Sequence, residues 1–407
     1  MMMASERPQS FRLPVHFIGT TQIFSYGFLF YAFAVLKNPL AQHIGTSIEV
    51  ILTAVSFALL VQALISYVVG KWVDTIGGLR ILGAGLLLGA LGMGALWLVP
   101  SLLWVALCLF LIGVGFAMCT YDVAFSTVIQ FDESRSRWFI AVVSFYGGIA
   151  SSFVWLLLAP MLKFYGLPAA CLTAASFLAI SGIIALFFSS TYQPRNKAKK
   201  EPAPFEWQML KLVEKKALII MAGATSIQYL AFAGTALLWI SWFERQFGSG
   251  EIAVLLAALY GPFQVVGRFI DMILGRHFDA RSNAIFASFL FTLAIALAQI
   301  KSLPIAILAM CLYGMGNGVL TIAFGFLTNM YFRSEIFGRA KGIIAAPRAF
   351  CLATGPVLAA FIYNVFDDWF LNVFIFIALG ATGLLVTLQW LEPTNEIAKA
   401  QNEKRAS

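Results

Sequence analysis

Residues 343–362 read IIAAPRAFCLATGPVLAAFI, an apolar run long enough to cross a bilayer, with one arginine, Arg348, well inside it. An unpaired guanidinium group at that depth costs roughly 3 kcal/mol on insertion scales, so an arginine there predicts a functional site. Residues 257–274, AALYGPFQVVGRFIDMIL, form the other run of this kind, with Arg268 and, one helical turn later, Asp271. The sequence therefore predicts a membrane protein whose helices bring two arginines to one water-filled cavity.

The composition supports a chain that crosses the membrane many times. Hydrophobic residues make up 60% of the 407 residues, charged residues make up 11%, and the mean hydropathy is +0.86. These values are typical of polytopic membrane proteins and exclude an ordinary globular enzyme. The net charge of +8 comes from basic residues in short loops, which indicates membrane topology and not a nucleic-acid partner.

Metal and nucleotide chemistry find no support in the sequence. The five cysteines all fall inside apolar segments without the spacing of metal ligands, so we expect buried thiols and no metal site. The chain has no G-x-x-x-x-G-K-[ST] pattern for binding a nucleotide phosphate. We therefore expect no cofactor.

Twelve apolar runs are long enough to span a hydrocarbon core of ~30 Å. We place helices 1 to 12 near residues 14–36, 47–69, 79–98, 102–126, 138–162, 168–190, 217–241, 252–274, 283–300, 303–326, 343–362 and 368–390. With the amino terminus inside, cytoplasmic segments hold 21 of the 27 basic residues, and Lys37 falls in the first periplasmic loop. The positive-inside rule therefore predicts two cytoplasmic termini, in a bacterial inner membrane.

The two halves of the chain are predicted to be repeats. Tyr26 and Tyr229 each precede a glycine, Gly45 or Gly248, by 19 residues. An offset of 201 to 203 residues relates three sets of positions: Tyr26 with Tyr229, Gly113 and Gly115 with Gly314 and Gly316, and Arg137 with Arg339. Three registers near one offset indicate a duplicated unit of six helices.

The longest hydrophilic stretch, residues 191–216, separates the halves. It holds seven basic residues and three prolines. We interpret it as a solvated cytoplasmic linker, with contact to the lipid surface as the alternative. The predicted organisation is a first bundle over 1–190, the linker over 191–216, a second bundle over 217–390 and a cytoplasmic tail over 391–407.

The loop after helix 2 carries Gly70, Asp74, Gly77 and Arg80 in the pattern G-x-x-x-D-x-x-G-x-x-R. This pattern resembles the signature of the major facilitator superfamily, whose all-α fold has twelve transmembrane helices in two pseudo-symmetric six-helix bundles with substrate between them. We expect the two glycines to permit close packing and a tight turn, and Asp74 and Arg80 to pair with each other or with helix ends. The resemblance implies that the motif steadies one conformational state and does not contact substrate.

Within that superfamily the chain resembles the monocarboxylate transporters and the bacterial oxalate/formate exchanger. Those proteins carry an arginine after a glycine in helix 8, as Gly267 and Arg268 do here. The exchanger has a lysine in helix 11, nine residues after the arginine that opens it, and nine residues after Arg339 stands Arg348. The resemblance implies binding of an anion at two points. Because arginine replaces lysine, it does not extend to the exchanger's oxalate specificity.

Tyr121 and Asp122 in helix 4 complete the expected charged cluster. Asp122, Arg268 and Arg348 lie four to eight residues from the cytoplasmic ends of their helices, at a common depth of roughly 6 to 12 Å. Charges from three helices at one depth favour a shared site. A planar guanidinium group matches a carboxylate bidentately, so we expect the two arginines to clamp a substrate carboxylate, with Tyr121 and Asp122 beside them.

The acidic residues have two interpretations. Asp271 lies three residues from Arg268, on nearly the same helix face, and would compete for that guanidinium group until it is protonated. Asp271 and Asp122 are therefore candidates for proton coupling. The alternative is that both only neutralise the arginines as state-dependent bridges.

Three further polar residues are candidate contacts for the substrate. Tyr26 and Tyr229 occupy matching positions in helices 1 and 7, where they line the cavity or pack between helices. Asn317, between two glycines of helix 10, donates to the substrate or bonds to a neighbouring backbone.

We predict a secondary active transporter of a small organic anion, a mono- or dicarboxylate, working by proton symport or anion exchange as a monomer in the lipid bilayer. The alternative is an exporter of drugs or amphipathic metabolites such as siderophores, in which the arginines are structural. A membrane-embedded enzyme is disfavoured because the predicted spans hold no histidine pair and no further carboxylate cluster.

Overall fold

The computed structural model describes residues 12–131, 136–192, 207, 210–274, 278–332, 334–366 and 369–393. All regular structure within these ranges is helical. Ten helices are long and apolar enough to cross a membrane, or eleven when the bent pair Leu13–Tyr31 and Phe33–Ile44 counts as one span. One of them, Trp138–Thr191, is 54 residues long, more than twice what a ~30 Å core needs. It contains Gly166 in a non-helical conformation (φ 78°, ψ −175°), which divides it into two spans and gives the twelve expected.

The α-helices are α1 (Arg12–Tyr26), α2 (Phe33–Ile44), α3 (Ile48–Ile76), α4 (Gly78–Ala95), α5 (Leu102–Ala117), α6 (Tyr121–Phe131), α7 (Ser136–Gly148), α8 (Ala150–Thr191), α9 (Leu212–Ala236), α10 (Trp239–Phe247), α11 (Gly250–Ala258), α12 (Tyr260–Leu274), α13 (Ala280–Leu297), α14 (Leu303–Tyr331), α15 (Ser334–Phe366) and α16 (Phe370–Thr387). Spans 1, 4, 7 and 8 each consist of two helices: α1 with α2, α5 with α6, α9 with α10, and α11 with α12. Spans 5 and 6 share α7 and α8. We call spans 1 to 6 the first lobe and spans 7 to 12 the second lobe. Most of the predicted linker lies outside the described residues.

The predicted repeat is confirmed by matching helix ends. Gly45 ends span 1 with φ 67°, and Gly248 ends span 7 with φ 71°. Both are left-handed caps, a conformation that glycine adopts without a steric penalty. The pair predicted from the sequence therefore marks the same structural position in each lobe.

Glycine contacts inside the lobes repeat in the same way. A Cβ atom on Gly113 would overlap the Ala58 carbonyl oxygen, and one on Gly314 would lie 2.5 Å from the Tyr260 carbonyl oxygen. Span 4 therefore contacts span 2 as span 10 contacts span 8. Gly115 and Gly316 make the equivalent contacts: Gly115 with Gly85 and Gly89, and Gly316 with Ala287 and Phe291. In each lobe, two glycines spaced two residues apart let the backbone of one helix, span 4 or span 10, contact two neighbouring helices directly.

The loop between spans 2 and 3 agrees only partly with the expectation. Gly77 provides the tight turn, with φ 102°. Close packing comes from Gly78, whose Cβ position would overlap Thr127, whereas the Cβ position of Gly70 has no neighbour within 4 Å. The expectation that Gly70 permits close packing was wrong because that residue faces outward. Arg80 is exposed, and the side chain of Asp74 lies outside the described residues.

Replacement of Gly77 by alanine is expected to destabilise the protein by roughly 1–3 kcal/mol, because a side chain rarely adopts its positive φ. Gly70→Ala is the matched control in the same motif. Its position is helical and open, so alanine should be neutral or stabilising by up to ~1 kcal/mol. Thermal unfolding in detergent measures both variants, and equal melting temperatures would contradict this account.

Candidate functional site

Tyr121 and Tyr26 meet where two helices are interrupted. Span 4 breaks between α5 and α6, which frees the backbone N–H of Tyr121 from the helix. That group donates to the hydroxyl of Tyr26 at 3.3 Å, and the two ring centroids are 4.7 Å apart. Asp122 follows in the first turn of α6 and is exposed. The structure thus places three of the predicted residues side by side between the lobes.

Arg348 lies beside this group. Its guanidinium carbon is 5.0 Å from the ring centroid of Tyr229, a distance at which a cation–π contact forms. Its electrostatic neighbours are Tyr229, Asp122 and Tyr26. Among the described residues, no hydrogen bond and no ion pair within 4 Å engages the guanidinium group, which is only half-buried. The Tyr229 ring therefore packs against the guanidinium group, and the five N–H donors of Arg348 find no acceptor among the described residues.

Arg268 is placed differently from the expectation. Its side chain is only 2% exposed, and its Nη1 donates to the backbone carbonyl of Ser144 in span 5. The Tyr121 hydroxyl donates to the same carbonyl at 3.4 Å. Arg268 therefore joins the second lobe to the first and does not open into the cavity as Arg348 does. The helical period identified its helix face, but it did not identify what packs against that face.

One donor of Arg268 stays unused. Its Nε is buried and has no hydrogen-bond partner among the described residues. A Cβ atom on Gly148 would lie 3.3 Å from Nη1, so this glycine lets the guanidinium group approach span 5 closely. An unpaired buried donor costs about 1–3 kcal/mol, which marks the position as one where a ligand acceptor would be stabilising.

Asp271 does not pair with Arg268. Its Oδ1 accepts from the amide of Asn283 at 3.1 Å, and no ion pair joins it to Arg268 in the described structure. The expected competition for the guanidinium group is therefore wrong for this conformation. The spacing of three residues places Arg268 and Asp271 on one helix face, but the carboxylate of Asp271 bonds to Asn283 of the neighbouring span 9.

Asn317 bonds to a side chain and not to backbone. Its Nδ2 donates to the hydroxyl of Tyr260 at 2.6 Å, and Gln264 Nε2 donates to the same oxygen at 2.9 Å. Tyr260 also contacts Tyr31 of the first lobe, with 3.3 Å between the hydroxyl oxygens. Neither Tyr31 nor Tyr260 was predicted, because among twelve tyrosines their sequence contexts carry no distinguishing signal.

The polar contacts between the lobes that the described residues make cluster toward one end of the molecule. We call the end that holds Gly45 and Gly248 the far end. The polar contacts between lobes in the described residues run from the Arg268–Ser144 level to the far end: Tyr31–Tyr260, Ser152–Ala258, Ser56–Val357, Lys37–Leu237 and Lys163–Glu251. Asp122 is exposed and Arg348 is half-buried, and the two are electrostatic neighbours across the lobes.

Lys37 is a functional candidate that the sequence analysis missed. It lies inside α2 and is 1% exposed, so its assignment to a loop was wrong. Its Nζ donates to the carbonyls of Ala34 at 2.7 Å and Leu237 at 2.8 Å. Leu237 ends α9, where the positive charge complements the helix dipole. The hydropathy pattern ended helix 1 too early, because span 1 continues to Ile44 through a bend.

Replacement of Lys37 by alanine is expected to destabilise the protein by roughly 1–3 kcal/mol, because it leaves the Leu237 carbonyl without its donor. Lys163→Ala is the matched control, since Lys163 also joins the lobes, to Glu251 at 2.6 Å, but its side chain is 59% exposed. An exposed pair contributes less than ~1 kcal/mol. Unfolding midpoints of the two variants in detergent test this; equal losses would show that burial is not what distinguishes the two lysines.

Two lobes of six helices, with polar contacts and charged side chains between them, define a transporter of the alternating-access class. The family model for the Major Facilitator Superfamily matches residues 18–285. The chain belongs to the major facilitator superfamily. This membership supports a transporter and not an enzyme.

Among solved structures, the crystal structure of the nucleoside transporter NupG is similar, with a TM-score of 0.70 and 14% sequence identity over 94% of this chain and 100% of that chain. At that identity the similarity shows the fold alone. No curated protein sequence matches the chain.

Proposed function

We propose that this protein is a secondary active transporter of a small organic anion, a mono- or dicarboxylate, working by proton symport or anion exchange in the bacterial inner membrane with both termini cytoplasmic. The observation that supports the proposal is Arg348, a cation within the candidate span Ala340–Phe366 whose electrostatic neighbours come from both lobes. A guanidinium group presents two parallel N–H donors to a carboxylate. An anion there would offset the cost of holding the charge in the membrane.

Tyr229 and Tyr26 form the walls of the proposed carboxylate site. The Tyr229 ring beneath Arg348 holds the guanidinium plane without consuming a donor. Tyr26 is fixed by Tyr121 on its other side. A site held by packed side chains loses little entropy when it binds, which favours affinity for a small substrate.

Arg268 would couple substrate binding to the movement of the two lobes. It joins them through Ser144, and it contributes positive potential at the deep end of the site. A substrate anion that draws Arg268 away from the Ser144 carbonyl would weaken the contact between spans 5 and 8. Binding and rearrangement would then share one residue.

Asp122 is the better candidate for proton coupling. It is exposed between the lobes and is an electrostatic neighbour of Arg348, whereas Asp271 is engaged by Asn283. A charged Asp122 competes with the substrate for the arginine, and a protonated one does not. Proton binding would therefore promote anion binding at the same site, as symport requires.

The proposal is tested by thermal unfolding of the purified protein with a series of mono- and dicarboxylates at mildly acidic and at neutral pH. Carboxylates should raise the unfolding midpoint, and more so at the acidic pH. Uridine is the uncharged control ligand, chosen because NupG is a nucleoside transporter. Stabilisation by uridine and by no carboxylate would overturn the proposal.

A further inference from the structure

We infer that the hydroxyl group of Tyr31 is a second substrate contact, which donates a hydrogen bond to an acceptor oxygen at the end of the substrate remote from Arg348. The inference rests on the proposed function and adds a requirement on the substrate. Besides its carboxylate, the transported molecule carries a further hydrogen-bond acceptor.

Tyr31 lies where span 1 departs from regular α-helix. Residues Gly27–Tyr31 form a π-helical turn, in which the N–H of Ala32 donates to the carbonyl of Gly27 at 2.8 Å. The Tyr31 carbonyl accepts the indole N–H of Trp155 at 2.8 Å. Turns of this kind are rare and are frequently found at functional sites. Here the turn fixes the Tyr31 backbone against span 5 of the same lobe.

The direction of the hydrogen bond between Tyr31 and Tyr260 follows from counting donors. A tyrosine hydroxyl has one hydrogen and two acceptor lone pairs. The Tyr260 oxygen already accepts from Gln264 at 2.9 Å and from Asn317 at 2.6 Å, so both lone pairs are used. Its hydrogen must then point to the Tyr31 oxygen, 3.3 Å away. Tyr260 is the donor of this pair, and Tyr31 is the acceptor.

The hydrogen of the Tyr31 hydroxyl is consequently left without an acceptor. In the described part of the chain, the Tyr260 contact is the only hydrogen bond of this hydroxyl, although Tyr31 is just 6% exposed. Arg268 is one of its electrostatic neighbours, and the buried Nε of Arg268 also has no partner. Two unused donors therefore lie near each other.

Donors of this kind select for acceptor oxygens. The two amides polarise the Tyr260 hydroxyl and, through it, the Tyr31 hydroxyl, because hydrogen bonds in a chain strengthen one another. A keto, ester or second carboxylate oxygen would accept from Tyr31. A methyl group in its place would leave the donors unpaired, which is how a polar site rejects an apolar analogue.

The test compares levulinate with pentanoate, two five-carbon monocarboxylates that differ by one keto oxygen, as ligands of the full-length protein. The wild type is expected to bind levulinate about tenfold more tightly, the difference that one hydrogen bond makes. Tyr31→Phe should bring the two affinities to near equality. Tyr313→Phe is the matched control, since Tyr313 is a buried tyrosine whose hydroxyl contacts Thr235 at 2.8 Å, and it should keep the preference.

The outcomes separate this inference from the proposed function. A wild type that binds both acids equally, or a Tyr31→Phe variant that keeps the preference, overturns the Tyr31 contact while carboxylate binding stands. Loss of the preference in Tyr313→Phe as well would show a general effect of disturbing the tyrosine cluster and would also overturn it. Failure of the wild type to bind either acid contradicts the proposed function and the inference together.

Discussion

Arg348→Leu is expected to lower carboxylate uptake into proteoliposomes at least about 100-fold, because a charge-assisted hydrogen bond at a desolvated site contributes roughly 3 kcal/mol. Leucine keeps the bulk of the side chain, so the helix should insert and pack as before. Arg348→Lys retains the charge but loses the planar pair of donors, and an intermediate loss is expected. Uptake of a radiolabelled carboxylate at several concentrations would give the change in kcat/KM.

Arg245→Leu is the matched control for this experiment. Arg245 also lies over a tyrosine ring, that of Tyr363, with 5.9 Å to the centroid, but it is exposed and lies at the far end. Its replacement should leave uptake within about twofold, as expected for exposed charged contacts. If Arg348→Leu retained uptake at the level of Arg245→Leu, the guanidinium group would be structural, and the exporter of uncharged compounds would become the better hypothesis.

Gly318→Ala is expected to lower both the stability of the protein and its transport activity. A Cβ atom there would overlap the carbonyl oxygen of Gln264 and lie 3.0 Å from its carbon. Both atoms belong to the backbone of span 8, so α14 would have to move away from the helix that carries Arg268. Overpacking against backbone costs about 1–3 kcal/mol, and we expect transport to fall as well because the position of Arg268 depends on this contact.

The same helix provides the control. Gly325, seven residues further along α14, has nothing within 4 Å of its Cβ position. Gly325→Ala should be neutral or stabilising by up to ~1 kcal/mol, from the higher helix propensity of alanine. Unfolding midpoints measure the change in stability of each variant, and uptake into proteoliposomes measures the change in transport activity. A Gly318→Ala protein as stable as Gly325→Ala would mean that spans 8 and 10 are less closely packed than described.

Features that depend on one helix at a time could be predicted from the sequence. Hydropathy gave the twelve spans, and the spacing of Gly113 and Gly314 revealed the repeat because backbone contacts between helices need glycine at fixed intervals. Each of these inferences uses only distance along a helix axis.

Features that depend on a neighbouring helix could not be predicted. The sequence gives the helix face of Arg268 but not the carbonyl of Ser144 that meets it. It gives the spacing between Arg268 and Asp271, but not the amide of Asn283 that engages the carboxylate instead. Lys37 was missed for a related reason. Span 1 continues past its bend, so Lys37 is buried within the span although it lies beyond the end of the continuous apolar run.

The acceptor for Arg268 is a main-chain oxygen, and every amino acid at position 144 supplies one. Changing the side chain at position 144 therefore leaves the carbonyl oxygen in place, so a substitution scan of that residue would not detect the contact. Among substitutions, only those that change the course of span 5 or replace Arg268 itself remove this contact between the lobes.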